Sequence, residues 1–326
     1  MSADFDLGDI RSTAESIRSE IVRTPVLRCH PASAIARAGH DAASVNLKLE
    51  LMQIGGSFKI RGALAVLASY TDHQLAKGVT AVSAGNHAIA VAYAAKSRNV
   101  SAKLVMLQRS SPARVEACRN YGAEVIQVED VHKAFELVEE IARNEDRIFI
   151  HPFEGRHTAL GTATLGLEMV EQIPDLDVAI VPIGGGGLAA GVSTAIKLLR
   201  PTAIVYGVEP FGADSMFRSF EKGIPQGIEK VQTIADSLGA PSSQPYSFGL
   251  CRSSIDEIVR VDDEELKGAM RLLFLDAKLA VEPAGAAATA ALRGPLKSRV
   301  AGKNVGLIVC GANIDPSTYC TYLNGH

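Results

Sequence analysis

The sequence predicts an α/β protein of two domains, with parallel-rich twisted sheets covered by helices and a ligand site in the cleft between the domains. Three observations predict it. Short apolar runs alternate with amphipathic or alanine-rich stretches along all 326 residues. The runs are apolar enough to be buried on both faces, as strands of parallel sheets are. Glycine-containing turns stand between some of the runs and the helical stretches that follow them, the arrangement of strands that feed helices.

Taken in order, the expected strands are NLKLE, GVTAVS, AKLVML, EVIQV, RIFI, VAIVPI, IVYGVE, EIVRV and VGLIVCG, the last ending at Cys310. Helices are expected over residues 86–97, 111–121, 131–144 and 188–199, and the alanine-rich AGAAATAAL reads as a packed helix. No internal repeat and no Pro/Gly-rich linker divides the chain, so the second domain is expected as an insertion. Residues 51–147 would close a small sheet of their own, and residues 1–50 with 148–326 would form the larger domain. Ligands of such sheets bind at the carboxyl ends of strands.

Composition narrows the function. With 47% hydrophobic and 21% charged residues the chain is globular, and a formal charge of -3 leaves no basic surplus for a nucleic-acid partner. The polar, acidic start MSADFDLGDIRSTAES is unlike a signal peptide, and no apolar run reaches the roughly 18 to 20 residues of a membrane span. Five cysteines, odd in number and without a C-x-x-C pair, argue against a disulfide framework or a zinc cage. A reduced, cytoplasmic protein without a membrane partner is expected.

Three constellations carry chemistry. In GGSFKIRGA the glycines of positions 55 and 56 allow close backbone approach, Ser57 is placed to cap a helix, and Lys59 falls in the first turn. The helix dipole disfavours a cation there. In VAIVPIGGGGLAAG, Gly184, Gly185, Gly186 and Gly187 sit between a strand and a helix, where inward N–H groups make a phosphate site rather than a plain turn. In GVTAVSAGNHAIA, Ser83, Asn86 and His87 with the free N–H groups of a starting helix suit a carboxylate, although taken alone Asn86 reads sooner as a helix cap and His87 as a first-turn residue. A phosphate, a carboxylate and an amine together suit pyridoxal phosphate with an amino acid. Lys59 would then bond the cofactor and, once displaced, act as general base, because burial and a helix N-terminus both lower a lysine pKa. Cys310 reads as a small core residue or as a neutral partner of the pyridine nitrogen. Glu209, about 20 residues after the glycines, keeps a nicotinamide enzyme as a rival, but alanine at position 189 breaks the G-x-G-x-x-G register.

With these motifs in this order, the chain resembles the fold type II (β-family) pyridoxal phosphate enzymes, and within them the serine/threonine dehydratase and serine racemase group. The resemblance covers nearly the whole chain. It implies a Schiff-base lysine at Lys59 with Phe58 beside the ring, and a substrate-carboxylate loop of Ser83, Ala84, Gly85, Asn86 and His87, with Asn86 also reaching the cofactor. It further implies a phosphate loop of Gly184, Gly185, Gly186, Gly187 and Leu188, and Glu282 and Cys310 near the cofactor. Homodimers or homotetramers are the implied assembly. Ala84 stands where racemases carry a proton-donating serine, which implies elimination rather than racemisation. Phe153 stands where racemases show a polar residue, which reshapes the side-chain pocket. GVEPFGADS resembles the group's Mg²⁺, Ca²⁺ or Mn²⁺ loop, mapping the ligands to Glu209, Ala213 and Ser215, with Asp214 as a substitute.

The expected function is a dehydratase (ammonia-lyase) converting a β-hydroxy-α-amino acid of the serine, threonine, 3-hydroxyaspartate or phenylserine type to a 2-oxo acid and ammonia. A racemase of the same family, a nicotinamide-dependent oxidoreductase and a non-catalytic ligand-binding protein are the alternatives. Arg156 and Arg218 are the arginines to watch as clamps for a second substrate carboxylate.

Overall fold

In the computed structural model, which describes residues 4–324, ten strands form two sheets. They are β1 Val26–Arg28, β2 Ser44–Lys48, β3 Val79–Val82, β4 Ala102–Leu107, β5 Glu124–Val128, β6 Ile148–Phe149, β7 Val178–Pro182, β8 Ile204–Pro210, β9 Glu257–Val261 and β10 Asn304–Ile308. The larger sheet runs β1-β2-β10-β7-β8-β9 and the smaller β5-β4-β3-β6. Every pairing is parallel except that of β1 with β2. The chain is therefore a mixed α/β protein with parallel-rich sheets.

Each apolar run forms a strand for the expected reason: β3, β7 and nearly all of β4, β8 and β10 are buried, as strands with helices on both faces must be. The short β1 carries no such run and was not expected. One terminus also differs. The last strand stops at Ile308, and Cys310 lies beyond it, where its carbonyl accepts from Phe58 N–H at 3.2 Å. Each sheet has a core of its own. Leu47, Ile180, Val208 and Leu307 centre the larger one. Ala81, Val91, Leu104 and Met106 centre the smaller.

The helices Lys59–Ala68 and Arg156–Gln172 join the two units. They pack backbone to backbone: a Cβ on Gly161 would lie 2.3 Å from the Arg61 carbonyl oxygen and 2.7 Å from Gly62 Cα. Inside this contact Arg61 is wholly buried. It donates to both oxygens of Glu50 at 2.8 and 2.9 Å, to both of Glu168 at 2.9 Å, and to Thr164 at 3.2 Å. Lys48 completes the cluster, reaching Glu168 at 2.7 Å, Gln172 at 2.8 Å and the Thr24 carbonyl at 2.8 Å. None of the helices is long and apolar enough to cross a membrane, among the described residues.

Candidate active site

The stretch GGSFKIRGA forms the seam between the units. Gly55 and Gly56 adopt φ of +77° and +75°, where a side chain is strained, and a Cβ on Gly56 would meet Asn313 Oδ1 at 2.6 Å. The chain then runs beside the segment after β10: Ser57 bridges Gly311, and Ala312 N–H donates to the Gly56 carbonyl at 3.0 Å. This pairing corrects the expected role of Ser57. Its backbone is extended, and the cap position falls one residue later, on Phe58, with no side-chain cap.

Lys59 is the first helical residue, and its Nζ lies 5.3 Å from the Phe58 ring centroid. Its hydrogen-bond partner among the described residues is the Pro152 carbonyl, 2.5 Å away, with no carboxylate in pairing range. Burial brings the amine down to about 8, with Cys310 and Glu282 pulling weakly the other way.

Beside it opens a cleft lined by Phe58, Lys59, Asn86, Phe153, the four glycines, Leu188, Ser237, Leu238, Glu282 and Cys310. The glycines are required by contact. A Cβ on Gly185 would lie 2.4 Å from the Phe153 ring, one on Gly187 2.7 Å from its backbone, and Gly186 has φ +97° with Met216 Cε 2.7 Å from the Cβ position. The helix Gly187–Leu199 begins here, and its first capping bond runs from Ala190 N–H to the Gly186 carbonyl. Helix geometry leaves the N–H groups of Gly187, Leu188 and Ala189 without intrahelical partners, a ready anion site.

The second helix N-terminus belongs to Asn86–Ser97, capped by Gly85, so Asn86 is not the cap. Ile89 N–H reaches the Gly85 carbonyl at 3.2 Å, which leaves those of Asn86, His87 and Ala88 free of intrahelical bonds. Ser83 Oγ accepts from Gly85 N–H at 3.1 Å, and Ala84 packs half-buried against the Val82 and Leu107 cluster. The His87 ring turns away to the Ile150 carbonyl at 2.9 Å; burial and then Lys59 depress its pKa to about 3, so it stays neutral and its Nε2 carries the donated proton.

Asn86 ties the site to the larger unit. Its amide donates to Glu282 at 2.7 Å and to Ser237 at 3.2 Å, and its oxygen accepts from Asn313 at 2.7 Å. Glu282 is buried, which lifts its pKa to about 7, and its Oε2 has no hydrogen-bond partner among the described residues. Cys310 is buried too, and burial pushes its thiol well above the usual range. Sequence reasoning missed Arg114, which lies over Gly85, bonds Asp236 at 2.7 Å and the Asn313 carbonyl, and stands 3.6 Å from Glu282. It also missed His151, whose Nδ1 accepts from Phe153 and Glu154 N–H at 3.3 and 3.0 Å and so fixes the turn that carries Phe153. The partners of Arg114 lie between 122 and 199 residues away and leave no local signal.

Other expected residues lie elsewhere. Arg156 pairs with Asp9 at 3.0 Å and Arg218 with Asp214 at 2.8 Å, so neither enters the cleft. In the loop from Glu209 to Ser215, mapped as a metal loop with Ala213 between them, the acidic oxygens are held by hydrogen bonds within the protein. Glu209 accepts Met216 and Phe217 N–H at 3.0 and 2.7 Å, Asp214 is held by Arg218 and Arg260, and Ser215 is a buried hydroxyl. Among the described residues, no three His, Cys, Asp or Glu side chains gather into a metal-holding group.

Comparison with known proteins agrees with this geometry. Residues 17–311 match the family described as pyridoxal-phosphate dependent enzyme. The phenylserine dehydratase of Ralstonia pickettii is 56% identical over 280 residues, covering 86% of each chain. The L-threonine ammonia-lyase of Thermotoga maritima is 36% identical over 310 residues, covering 95% of this chain and 76% of that one. Maize serine racemase superposes with a TM-score of 0.91 at 33% identity, covering 98% of this chain and 97% of that one. The site suits the family's cofactor on its own terms. It offers an anion cradle that any Cβ would fill, a buried amine without an anionic partner, and a buried carboxyl oxygen left without a donor. The chain belongs to the pyridoxal-phosphate-dependent enzymes of fold type II.

Proposed function

We propose that this chain is a dehydratase, a carbon–oxygen lyase that converts a β-hydroxy-α-amino acid to a 2-oxo acid and ammonia, and that its preferred substrate carries an aryl group, as phenylserine does. The observation that carries the reading is the Lys59 amine, buried beside an anion cradle yet without an acidic partner. Bound through Lys59, with its phosphate against Gly184–Gly187, pyridoxal phosphate supplies the electron sink that makes the substrate Cα–H acidic.

The chain's own residues do the rest. Backbone N–H groups of Asn86, His87 and Ala88, with Ser83, hold the substrate carboxylate. Lys59 takes the Cα proton, a role for which a lysine near pKa 8 is suited at neutral pH. The β-hydroxyl leaves as water, and hydrolysis of the resulting enamine gives the 2-oxo acid and ammonia. Asn86, Glu282 and Cys310, which line the cleft, would hold the cofactor ring. We also take the four-stranded unit as a separate small domain that carries the carboxylate loop.

Two facts support an aryl substituent. The cleft lining includes the apolar side chains of Phe58, Phe153, Leu188 and Leu238. Arg114, Arg156 and Arg218 are each committed to protein carboxylates, so among the described residues none of the three is a spare cation for the second carboxylate of a hydroxyaspartate. The 56% identity to a phenylserine dehydratase points the same way. Ala84 supplies no acid to the face opposite Lys59, which supports elimination over racemisation. No divalent cation enters this reading.

The test is 2-oxo acid formation from phenylserine, threonine, serine and both hydroxyaspartate diastereomers. Phenylserine should give the highest kcat/KM. A higher value for hydroxyaspartate would overturn the substrate assignment, and D-product without 2-oxo acid would make the chain a racemase.

A further inference from the structure

The loop after β8 is built around charges that the reaction does not use. Asp214 is almost wholly buried, yet its carboxylate is fully occupied: Oδ1 accepts from Arg218 Nε at 2.8 Å and Oδ2 from Arg260 Nη1 at 2.9 Å. Arg260 is the β9 residue paired with Glu209 of β8, and its guanidinium carbon lies 3.8 Å from the Phe217 ring centroid and 4.8 Å from that of Phe211. Such placement is typical of a planar cation held by aromatic faces. A hard divalent cation needs six or more oxygen ligands. Here both Glu209 oxygens accept backbone N–H groups, both Asp214 oxygens accept guanidinium N–H groups, and the neighbouring Ser215 supplies only a neutral hydroxyl. A metal ion would have to share four oxygens that each already accept a hydrogen bond, and would do so beside a fixed positive charge.

What the loop supports is the cofactor cradle. Asp214 and Glu209 fix the start of the helix Ser215–Lys222, and its second residue, Met216, packs on Gly186 so closely that a Cβ there would come within 2.7 Å of Met216 Cε. We infer that Arg260 is the built-in cation of this loop: stacked on Phe217 and Phe211 and bonded to Asp214, it orders the helix that backs the glycine cradle, and the protein needs no divalent metal ion.

The holoenzyme tests this directly. After dialysis against EDTA, its melting temperature, cofactor absorbance and turnover should stay within experimental error, and millimolar Mg²⁺, Ca²⁺ or Mn²⁺ should change none of them. A fall on chelation that Mg²⁺ restores would overturn the inference. Arg260→Met, which keeps volume but removes the charge, should melt several degrees lower and lose pyridoxal phosphate about tenfold more readily on gel filtration. The exposed partner variant Arg218→Met should differ little from the parent. An Arg260→Met protein as stable and as cofactor-retentive as the parent would also overturn it. Stability and cofactor retention are read without any substrate, so these results stand apart from which amino acid is turned over.

Discussion

Lys59 and Arg61 are two residues apart in one helix turn, Arg61 wholly buried and Lys59 half-buried with its amine turned inward, and their surroundings are opposite. Arg61 donates to both oxygens of two carboxylates, so its desolvation is offset by paired charge, and these partners together push its pKa up. Lys59 is offered one backbone carbonyl, and burial lowers its pKa to about 8. The difference teaches how a single turn of helix serves structure and chemistry at once. A guanidinium cannot lose its proton and is fixed by anions, whereas an amine kept from anions is free to become neutral and nucleophilic. Placing the carboxylates two residues further along keeps the cationic anchor away from the reactive nitrogen.

The sharpest way to break the comparison is to exchange the chemistry at position 59. Lys59→Ala and Lys59→Arg should each lower kcat by about 10³-fold or more, the general-base range, and should abolish the absorbance of lysine-bound cofactor. Circular dichroism and melting should change little. Arginine that restored turnover would show that a neutral amine is not required. At position 61 the expected effect is on stability instead: Arg61→Met leaves Glu50 and Glu168 buried without their cation and should cost about 3–5 kcal/mol in urea unfolding. A cost below about 1 kcal/mol would mean that Lys48 alone suffices for the two carboxylates.

Smaller effects sharpen the same contrast. The space around Arg61 is filled, while that beside Lys59 is kept open by glycine. Gly185→Ala must displace Phe153 and should weaken cofactor binding by about 10- to 100-fold, in keeping with overpacking costs of about 1–3 kcal/mol. Phe153→Ala in the same protein should recover most of that affinity, as measured by absorbance titration of the apo-protein. The pH dependence gives the smallest effect. With a pKa of about 8 the Lys59 amine is about one-tenth neutral at pH 7, so the rate of cofactor capture by apo-protein should rise about tenfold from pH 7 and level off above pH 8. Burial lowers this pKa, so the curve must lie at lower pH than that of an exposed lysine. A midpoint near 10.5 would place Lys59 in water.

Much of this was legible in the sequence where the signal is local. The apolar runs marked nine of the ten strands, and the helices over 86–97 and 131–144 lie where their patterns placed them. Lys59 in a first turn and four glycines before a helix pointed to the site because each violates a local preference that only a ligand or a close contact compensates. What stayed hidden depends on distant partners. Ser57 has the side chain of a cap, but it pairs with Gly311 and its backbone is extended, and the cap position falls on Phe58. Arg114 carries no mark among other surface arginines until Asp236 and Asn313 are brought to it. Resemblance mapped Glu209, with Asp214 as a substitute, to metal ligands; what occupies their oxygens, the N–H groups of Met216 and Phe217 for Glu209 and the guanidinium groups of Arg218 and Arg260 for Asp214, emerges only in the fold.

The pairing of β2 with β10 sets an order of events during synthesis. These neighbours stand 260 residues apart, from Ser44 beside Asn304, and the seam that frames Lys59 needs Gly311 and Ala312 against Gly56 and Ser57. A nascent chain that has emerged only as far as the four-stranded sheet can fold that sheet, whose strands are close neighbours in sequence. It cannot yet build a cofactor pocket, because one wall has not been translated. Such long-range closure is slow. Cofactor capture is thereby a late event that reports a finished polypeptide, and a truncated product lacking β10 would remain colourless however well its first half had folded.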